Sequence, residues 1–333
     1  MKIKDIAALA QTSVATVSRV LNNDLHVSDA ARIKVMRVVE ETGYRPNKLG
    51  QNLRLQRTGK ILAILPTILN QFYARIIEGL ERQAHKAGYD VIIVVTYRDA
   101  EMERKYLKML ESREVDGAIT FVSSLSDDGL GQVASQYPLV LCAGKCENRT
   151  VSYTSIDNEA AAYDGTRYLA ELGNSAIAII NGRFGRSYED ARRAGYTSAL
   201  KSLNIPYREE YVLETDYEYE DGFVAAEKLL SLPEPPTAIF AFSDTVAVGS
   251  MHGAVHCGLQ PGSEIDIMGF DNILLSEMVT PQMTTVEQPQ YDLGVMAFNL
   301  LYEKIQSPQS ICKGVLLPHT IIPRKSTRSQ KQK

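Results

Sequence analysis

The stretch Ser13–Arg19 (SVATVSR) constrains the fold more than any other part of the chain, because it opens a short helix directly after another one ends. The apolar face of the preceding helix consists of Ile6, Leu9 and Ala10, which recur at helical spacing. Gln11-Thr12 interrupts this pattern, and Ser13 is a residue type that caps helix N-termini. The apolar side of the second helix consists of Val14, Val17, Val20 and Leu21. Two short amphipathic helices across such a break are typical of a helix-turn-helix.

The start of the second helix has the side chains that a DNA major groove accepts. Val14 and Ala15 are small, so they let the backbone approach the base edges, and polar Thr16 and Ser18 follow them. Arg19 is able to donate two hydrogen bonds to guanine, and the methyl groups of Val14 and Ala15 are able to contact thymine. These residue types in this order indicate a recognition helix.

A third amphipathic segment follows Ser28 and completes the small core that two helices cannot form alone. Its apolar side consists of Ala31, Val35, Val38, Val39 and Thr42. The segment Gly43–Asn47 ends it, since Pro46 disfavours helix for the residue before it. A short, weakly helical piece, Lys48–Leu53, comes next.

Several spaced motifs in this region resemble the headpiece of the LacI/GalR family of bacterial transcription regulators. They are Lys4–Ala7, Ala15–Asn22 and Tyr44–Asn47. The resemblance implies a DNA-binding headpiece at residues 1–57, with a hinge at about 46–57 that folds on the operator and inserts Leu53 into the minor groove. The implied DNA contacts are Thr12, Ser13, Val14, Ala15, Thr16, Ser18, Arg19, Asn22, Tyr44, Asn47 and Leu53. The operator is expected to be an inverted repeat whose half-sites lie about one helical turn apart.

The Val14-Ala15 pair resembles the galactose-repressor-like branch of the family and implies an A/T-rich operator with a central CG. Two positions depart from the family pattern. Gln11-Thr12 replaces the usual Gly-Val of the turn, so we expect a non-glycine residue in a strained conformation there. Gly50 replaces a helix-forming residue, which costs about 1 kcal/mol of hinge helicity. We therefore expect looser operator binding than is usual in the family.

Charge is distributed unevenly along the 333 residues, a length that predicts two or three domains. Residues 1–60 contain eleven Lys/Arg and five Asp/Glu, a balance of +6. Because the whole chain has a net charge of −4, residues 61–333 carry a net charge of −10. A basic head on an acidic body fits a head that contacts phosphate. Residues 326–333 are polar and basic, and we expect them to be disordered.

The remaining composition is that of a cytoplasmic protein. No apolar run reaches the roughly twenty residues of a membrane span, and Met1–Asp5 is not a signal peptide. The four cysteines, Cys142, Cys146, Cys257 and Cys312, match no zinc or redox spacing. They are interpreted as buried thiols in a reducing compartment.

Strands and helices alternate twice after the head, at the spacing of βαβ units. The first half contains predicted strands at Ile61–Leu65, Val91–Val95, Ala118–Phe121 and Leu139–Leu141. The second contains strands at Ala176–Ile180, Ala238–Phe242 and Ile265–Phe270, and a late strand begins at Val315. This pattern predicts two doubly wound parallel-sheet subdomains, an α/β fold.

The body also resembles the periplasmic-binding-protein-like core of the same family, over about residues 60–325. The motifs are Asn70–Tyr73, Val115–Gly117, Pro236–Phe240, Gly269–Asn272 and Thr284–Pro289. The resemblance implies an effector-binding core at 58–325 in which the chain crosses between halves three times. The N-subdomain then comprises about 60–156 and 289–317, and the C-subdomain about 157–286 and 318–325.

Ligands of such two-lobed folds bind at the carboxyl ends of the strands, between the lobes. The residues there include carboxylates, an arginine and aromatic rings, which suit sugars, sugar phosphates and nucleosides. The resemblance implies that the effector pocket is lined by Phe72, Tyr73, Arg192, Tyr217 and Asp271, and further candidates that follow strands are Asn70 and Asp244. A helix-capping role for Asp271 and a surface ion pair for Arg192 also fit the sequence. Tyr211, Tyr217 and Tyr219 crowd one segment, where only one tyrosine need point inward.

Enzymatic interpretations lack support in the sequence. Phosphate-binding loops, dinucleotide fingerprints, the serine-hydrolase elbow and the His-Glu-x-x-His zinc motif do not occur. His252 and His256 lie four residues apart, but no carboxylate motif accompanies them, so they are interpreted as ordinary helix residues. We expect no cofactor and no metal.

The sequence therefore predicts a cytoplasmic, homodimeric transcription regulator, a repressor of carbohydrate or related catabolic genes that responds to a small-molecule effector. A global carbon-catabolite regulator with a phosphoprotein corepressor also fits, because Phe72-Tyr73 and Tyr291–Gly294 resemble the catabolite-control-protein-A-like branch. That branch has an arginine where this chain has Asn299, which favours the small molecule. A non-regulatory cytoplasmic sugar-binding protein would explain the body alone, and a nucleoid-type architectural protein would explain the head alone.

Overall fold

The computed structural model describes residues 1–21, 24, 26–44, 57–182 and 187–329. Contacts along the chain divide it into two compact units, Met1–Thr58 and Gly59–Lys333. No helix of the described residues is long and apolar enough to cross a membrane.

The first unit contains three helices: α1 (Ile3–Leu9), α2 (Val14–Leu21) and α3 (Asp29–Thr42). Its core consists of Ile6, Ala7, Ala10, Val17, Val20 and Val35, all buried. The predicted helix-turn-helix headpiece is confirmed. Two residues predicted to face this core do not, since Leu9 is 56% exposed and Val14 is 40% exposed. The reason is that Ile6, Ala7 and Ala10 already fill the face of α1 that meets the other helices.

Local hydrogen bonds set the ends of these helices. The Thr16 backbone N–H donates to Ser13 Oγ over 3.0 Å, and Ser28 caps α3 in the same way. Gly43, at φ +60°, ends α3, so a glycine C-cap stops this helix before Pro46 is reached. Gln11 has φ +50° in the turn, which confirms the strained non-glycine residue.

The second unit alternates strands and helices throughout. In chain order its elements are β1 (Lys60–Leu65), α4 (Gln71–Lys86), β2 (Asp90–Val95), α5 (Ala100–Glu111), β3 (Gly117–Phe121), α6 (Asp127–Ala134), β4 (Leu139–Cys142), β5 (Ser152–Ile156), α7 (Asn158–Glu171), β6 (Ile177–Gly182), α8 (Ser187–Ser202), the 3-10 turn Glu209–Tyr211, β7 (Val212–Thr215), α9 (Tyr219–Leu230), β8 (Ala238–Ala241), α10 (Asp244–His256), β9 (Asp266–Asp271), α11 (Leu275–Met278), β10 (Thr284–Glu287), α12 (Gln290–Gln306), β11 (Gly314–Leu317) and β12 (Thr320–Ile322).

These strands form two six-stranded sheets, which confirms the predicted α/β fold of two doubly wound halves. The first sheet has the order β11-β5-β4-β3-β1-β2 and is parallel throughout. The second has the order β12-β10-β9-β8-β6-β7, and only its edge pair β10–β12 is antiparallel. We call the halves built on these sheets the N-lobe and the C-lobe. Apolar strand residues such as Ile61 and Ile119, or Ile179 and Ile239, are wholly buried between each sheet and its helices.

The chain passes between the lobes at three places, which we call crossings. The first lies between β5 and α7, because β5 belongs to the N-lobe sheet and the chain then enters the C-lobe. The second lies between β10 and α12, a helix that packs against α4 of the N-lobe. The third joins β11 to β12. Each lobe is therefore discontinuous in sequence.

The carboxyl-terminal segment differs from the prediction. The sequence predicts disorder from residue 326, but Ser326 and Thr327 are buried, at 0% and 3% exposure. Arg328 donates from Nη2 to Asp266 Oδ2 over 2.8 Å and also to Asn174. The prediction is wrong for residues 326–329, because Arg328 of this segment, together with Asn174, donates to the buried carboxylate of Asp266.

The four cysteines are all free thiols, but only two fit the expectation of burial. Cys142 and Cys146 are buried in the N-lobe, whereas Cys257 is exposed and Cys312 is partly exposed. Cys257 lies at the C-cap of α10, where the helix end reaches the surface.

Candidate functional site

The first residues of α2 present an open surface on the first unit. Ser13, Val14, Ala15 and Arg19 are exposed, while Val17 and Val20 of the same helix are buried. The helical period produces this separation, because Val17 and Val20 lie on the side that packs on α1 and α3. The surface therefore combines methyl groups, a hydroxyl and a guanidinium on one rigid element.

Other predicted headpiece residues support or flank that surface. Thr16 Oγ1 lies 2.9 Å from Ser13 Oγ, and both Thr12 and Ser18 are partly buried. Arg19 Nε lies 3.9 Å from a carboxylate oxygen of Asp24, and the side chain of Arg19 is 66% exposed. Tyr44 packs partly buried against the helix core. The remaining predicted contacts, Asn22, Asn47 and Leu53, lie outside the described residues, as do residues 46–56 of the predicted hinge, Gly50 among them.

Arg192 is the central cation of the second candidate site, in the second unit. It lies on α8 and is only 5% exposed, so it is not a surface ion pair. Its Nε donates to Asn158 Oδ1 over 2.9 Å and its Nη1 to the Phe242 carbonyl oxygen over 2.7 Å. The guanidinium carbon lies 3.6 Å from the ring centroid of Phe270. These contacts fix the guanidinium at the carboxyl ends of the C-lobe strands.

Asp271, the last residue of β9, lies in the same region. Its backbone has φ +115°, which is unusual for a residue with a side chain, and it is 7% exposed. Gln288 Nε2 donates to its carboxylate over 2.7 Å, and Gln290 Nε2 donates to its carbonyl oxygen. Burial raises the pKa of this carboxyl to about 6, while Arg192 and Gln288 oppose that rise. Its side chain does not cap the following helix.

Three predicted residues belong to the N-lobe side of the site. Phe72 and Tyr73 are buried at the start of α4, with ring centroids 5.4 Å apart, and Tyr73 also meets Phe121 edge-on at 6.0 Å. Burial raises the pKa of the Tyr73 phenol, with smaller electrostatic effects from Tyr188, Arg98, Asp271 and Arg192. Ile273, two residues after Asp271, belongs to the same buried apolar cluster as Phe72 and Tyr73, so the two lobes meet here. Asn70 has a structural role, because its Oδ1 caps α4 by accepting from the Phe72 N–H over 2.9 Å.

Among the three crowded tyrosines, Tyr217 lies against Gly182 at the end of β6, where its ring occupies the space that a Cβ on this glycine would need. Burial raises the pKa of Tyr217 well above its ordinary value, and Tyr188 and Arg192 act on it electrostatically. Tyr211 instead donates to the Glu234 carbonyl oxygen over 2.7 Å, and the Tyr219 hydroxyl lies 2.7 Å from His252 Nδ1.

Asp244 does not belong to the accessible part of the site. It has no exposed surface, its Oδ2 accepts from the Ile273 N–H over 2.8 Å, and its Oδ1 accepts from Thr285 Oγ1 over 2.6 Å. Burial, followed by the nearby charge of Asp271, raises the pKa of this carboxyl. Asp244 therefore supports the segment around Asp271 from within the C-lobe.

Three residues that surround these groups were not among the predicted site residues. Asn158 and Gln290 make the hydrogen bonds given above and belong to none of the motifs found in the sequence, whereas Gln288 lies within the motif Thr284–Pro289. In addition, Asn181 Oδ1 and Ser243 Oγ are buried with no hydrogen-bond partner among the described residues. Both follow or end C-lobe strands, where a bound molecule with hydroxyl groups is able to satisfy them.

The two histidines of α10 each contact α9. His252 lies against Tyr219, and His256 Nδ1 lies 2.6 Å from Glu227 Oε1. Within the described ranges, His, Cys, Asp and Glu side chains form no group of three that is able to hold a metal ion.

Comparison with known proteins gives matches over both units. Residues 58–325 match the family model of periplasmic binding proteins and sugar binding domain of LacI family. Residues 2–47 match the model of bacterial regulatory proteins, lacI family. Over 328 residues the chain is 36% identical to catabolite control protein A of Priestia megaterium, covering 98% of this chain and 99% of that protein.

Two solved structures are similar to this chain over nearly its whole length. The transcriptional regulator CelR in complex with cellobiose has a TM-score of 0.74 and 28% identity, covering 98% of this chain and 99% of that one. The lac repressor dimer bound to operator and the anti-inducer ONPF has a TM-score of 0.89 and 25% identity, covering 99% of each chain.

Proposed function

The chain belongs to the LacI family of DNA-binding transcriptional regulators, and we propose that it is a cytoplasmic, non-enzymatic repressor of carbohydrate or related catabolic genes. The single observation that supports control by a small molecule is the set of buried polar and aromatic groups at Arg192 and Asp271, next to the place where Ile273 packs with Phe72 and Tyr73 of the N-lobe. In this proposal an effector bound there changes the affinity of the headpiece for operator DNA.

The proposed DNA contacts use the open surface of α2. Arg19 donates to guanine, Val14 and Ala15 contact thymine methyl groups, and Ser13 and Thr16 approach the phosphates. Removal of Arg19 should then relax base preference at one position of each half-site, at a cost of about 1–3 kcal/mol. The matched control is Arg37→Ala, since Arg37 is an exposed α3 arginine already paired with Glu41 over 2.8 Å.

The proposed effector is a sugar, a sugar phosphate or a nucleoside. Arg192 and Asp271 suit hydroxyl groups, and Phe72, Tyr73 and Tyr217 suit ring faces. A structural neighbour of this chain is a regulator in complex with cellobiose, which supports a carbohydrate.

Homodimerisation is the proposed assembly. Exposed apolar side chains of the second unit include Ile68, Leu69, Leu274 and Met278, each more than 60% exposed. Exposed apolar side chains of this kind are available for an interface with a second copy of this chain. The similar lac repressor structure is a dimer.

A second candidate function is global carbon-catabolite control with a phosphoprotein corepressor, which the 36% identity to catabolite control protein A favours. Against it, Asn299 stands where that branch has an arginine, and Asn299 Oδ1 accepts from Gln83 Nε2 over 3.1 Å. A neutral amide engaged in this way supplies no charge for a phosphate.

Selection of bound fragments from the host genome by the purified full-length protein, at defined salt, tests the proposed function. The expected result is a few discrete inverted repeats, whose neighbouring genes indicate the effector. Many repeats across the genome would favour the global regulator. Binding without sequence preference, both with and without a host metabolite pool, would refute a sequence-specific repressor and favour an architectural protein.

A further inference from the structure

Each of the two charged groups of the effector site is hydrogen-bonded to a different interlobe crossing. Arg192 Nε donates to Asn158 Oδ1, and Asn158 is the second residue after β5, where the first crossing enters the C-lobe. Asn158 is itself 8% exposed, and its Nδ2 lies 3.4 Å from the Ile156 carbonyl oxygen on the other side of the crossing. The position of Arg192 therefore depends on the conformation of this crossing.

Asp271 is joined to the second crossing in the same manner. Gln288 and Gln290 follow β10, are 5% and 8% exposed, and donate to the carboxylate and the carbonyl oxygen of Asp271. Without these bonds the strained backbone of Asp271 would relax toward a more common conformation. The crossing and the pocket residue therefore hold each other in place.

The second crossing leads directly into a rigid part of the N-lobe. Gln290 is the first residue of α12, which packs so closely on α4 that a Cβ at Gly79 would overlap the Tyr291 carbonyl oxygen. The start of α4 carries Phe72 and Tyr73. A displacement of Gln290 is thus transmitted to α12 and to α4 as a packed pair.

We propose that Asn158 and Gln290 are positioning residues that couple occupancy of the Arg192–Asp271 site to the relative orientation of the lobes. The inference rests on the proposed function, since it takes that site as the effector site. A ligand that hydrogen-bonds Arg192 and Asp271 alters the energy of the bonds these groups make to the crossings, and so it favours one lobe orientation over another. Gln290 is the informative glutamine, because it binds only the main chain of Asp271.

Double electron–electron resonance on the full-length protein without ligand tests this coupling. Spin labels at Lys105→Cys in the N-lobe and Lys228→Cys in the C-lobe report the interlobe distance, because both lysines are exposed. Cys257→Ser and Cys312→Ser remove the accessible native thiols. The test variants are Asn158→Leu and Gln290→Met, which remove the hydrogen-bonding groups and keep similar volume, with Asn158→Ala as the substitute if Asn158→Leu does not fold.

Both test variants should broaden the distance distribution and weaken binding to a selected operator fragment by at least about fivefold. Asn158→Asp retains an oxygen acceptor for Arg192 and should restore the wild-type distribution. The matched control is Gln83→Met, which removes a comparable Nε2 bond between α4 and α12 that does not involve the pocket.

Wild-type distributions and operator affinity in folded Asn158 and Gln290 variants would overturn the proposal. A lower melting temperature with an unchanged distance distribution would also overturn it, because that combination marks a purely structural role. Failure of the wild-type protein to select any operator would instead refute the proposed function. The interlobe distance measurement would still test whether Asn158 and Gln290 couple the Arg192–Asp271 site to the orientation of the lobes.

Discussion

Replacement of Arg192 by lysine should destabilise the second unit far more than the same change at its neighbour Arg193. Arg192 satisfies two buried acceptors, on α7 and after β8, and stacks on Phe270 at 3.6 Å. A lysine ammonium keeps the charge but reaches at most one of the two acceptors and does not stack in the same way. The substitution therefore separates the effect of geometry from the effect of charge.

The magnitude follows from these contacts. One buried acceptor left without a donor costs about 1–3 kcal/mol. The lost ring contact adds about 0.5–2 kcal/mol. Arg192→Lys should therefore lower the free energy of unfolding by about 1.5–5 kcal/mol, measured by urea denaturation of the full-length protein.

Arg193→Lys is the matched control for this prediction. Arg193 Nη1 lies 3.0 Å from Glu214 Oε1, and the side chain of Arg193 is 38% exposed. Exposed pairs of this kind contribute about 0–1 kcal/mol. Equal losses in the two variants would refute the assignment of Arg192 as a buried, geometrically fixed guanidinium.

Three further predictions concern the second unit. Burial raises the pKa of Asp271 from 3.8 to about 6. The folded protein therefore binds this proton more tightly than the unfolded chain does, which adds to the free energy of unfolding at low pH. This added stability is lost as the pH rises through 6. Asp271→Asn should thus gain in urea midpoint relative to wild type between about pH 4 and about pH 7, and a constant difference would refute this. Gly294→Ala should destabilise by about 1–3 kcal/mol, because its Cβ would overlap a facing carbonyl oxygen, whereas Gly129→Ala, with 3.4 Å to its nearest neighbour, should not. Truncation after Lys325 should increase protease sensitivity of the C-lobe, and truncation after Ser329 should leave it unchanged; equal sensitivity would refute a packed carboxyl-terminal segment.

Local patterns in the sequence were sufficient for the main architecture. The apolar run Ile61–Leu65 and the helix that follows it predict a βαβ unit, and Ser13 and Ser28 mark the helix starts that the structure shows. Such signals depend on periodicity and capping, which act over a few residues. Short edge strands such as β7 and β12 have no comparable pattern, because their pairing depends on distant neighbours.

The roles of single site residues depend on tertiary contacts and were harder to predict. Asp244 begins the helix after β8 and Asp271 ends β9, so both lie near the carboxyl ends of their strands. Thr285 and the Ile273 N–H donate to the carboxylate of Asp244, whereas the carboxylate of Asp271 remains beside Arg192. The segment after Lys325 is polar, and its packing becomes visible only in the burial of Ser326 and Thr327 and in the contact of Arg328 with the buried Asp266. Neither contact has a signature in the local sequence.

The central claim is that a molecule bound at the Arg192–Asp271 site controls DNA binding. The most direct measurement is the affinity of the full-length protein for a selected operator fragment, with and without fractions of a host metabolite extract. At least one fraction should change the affinity by about fivefold or more in the wild-type protein and not in Asp271→Asn. An equal change in both proteins, or no change with any fraction, would contradict the account.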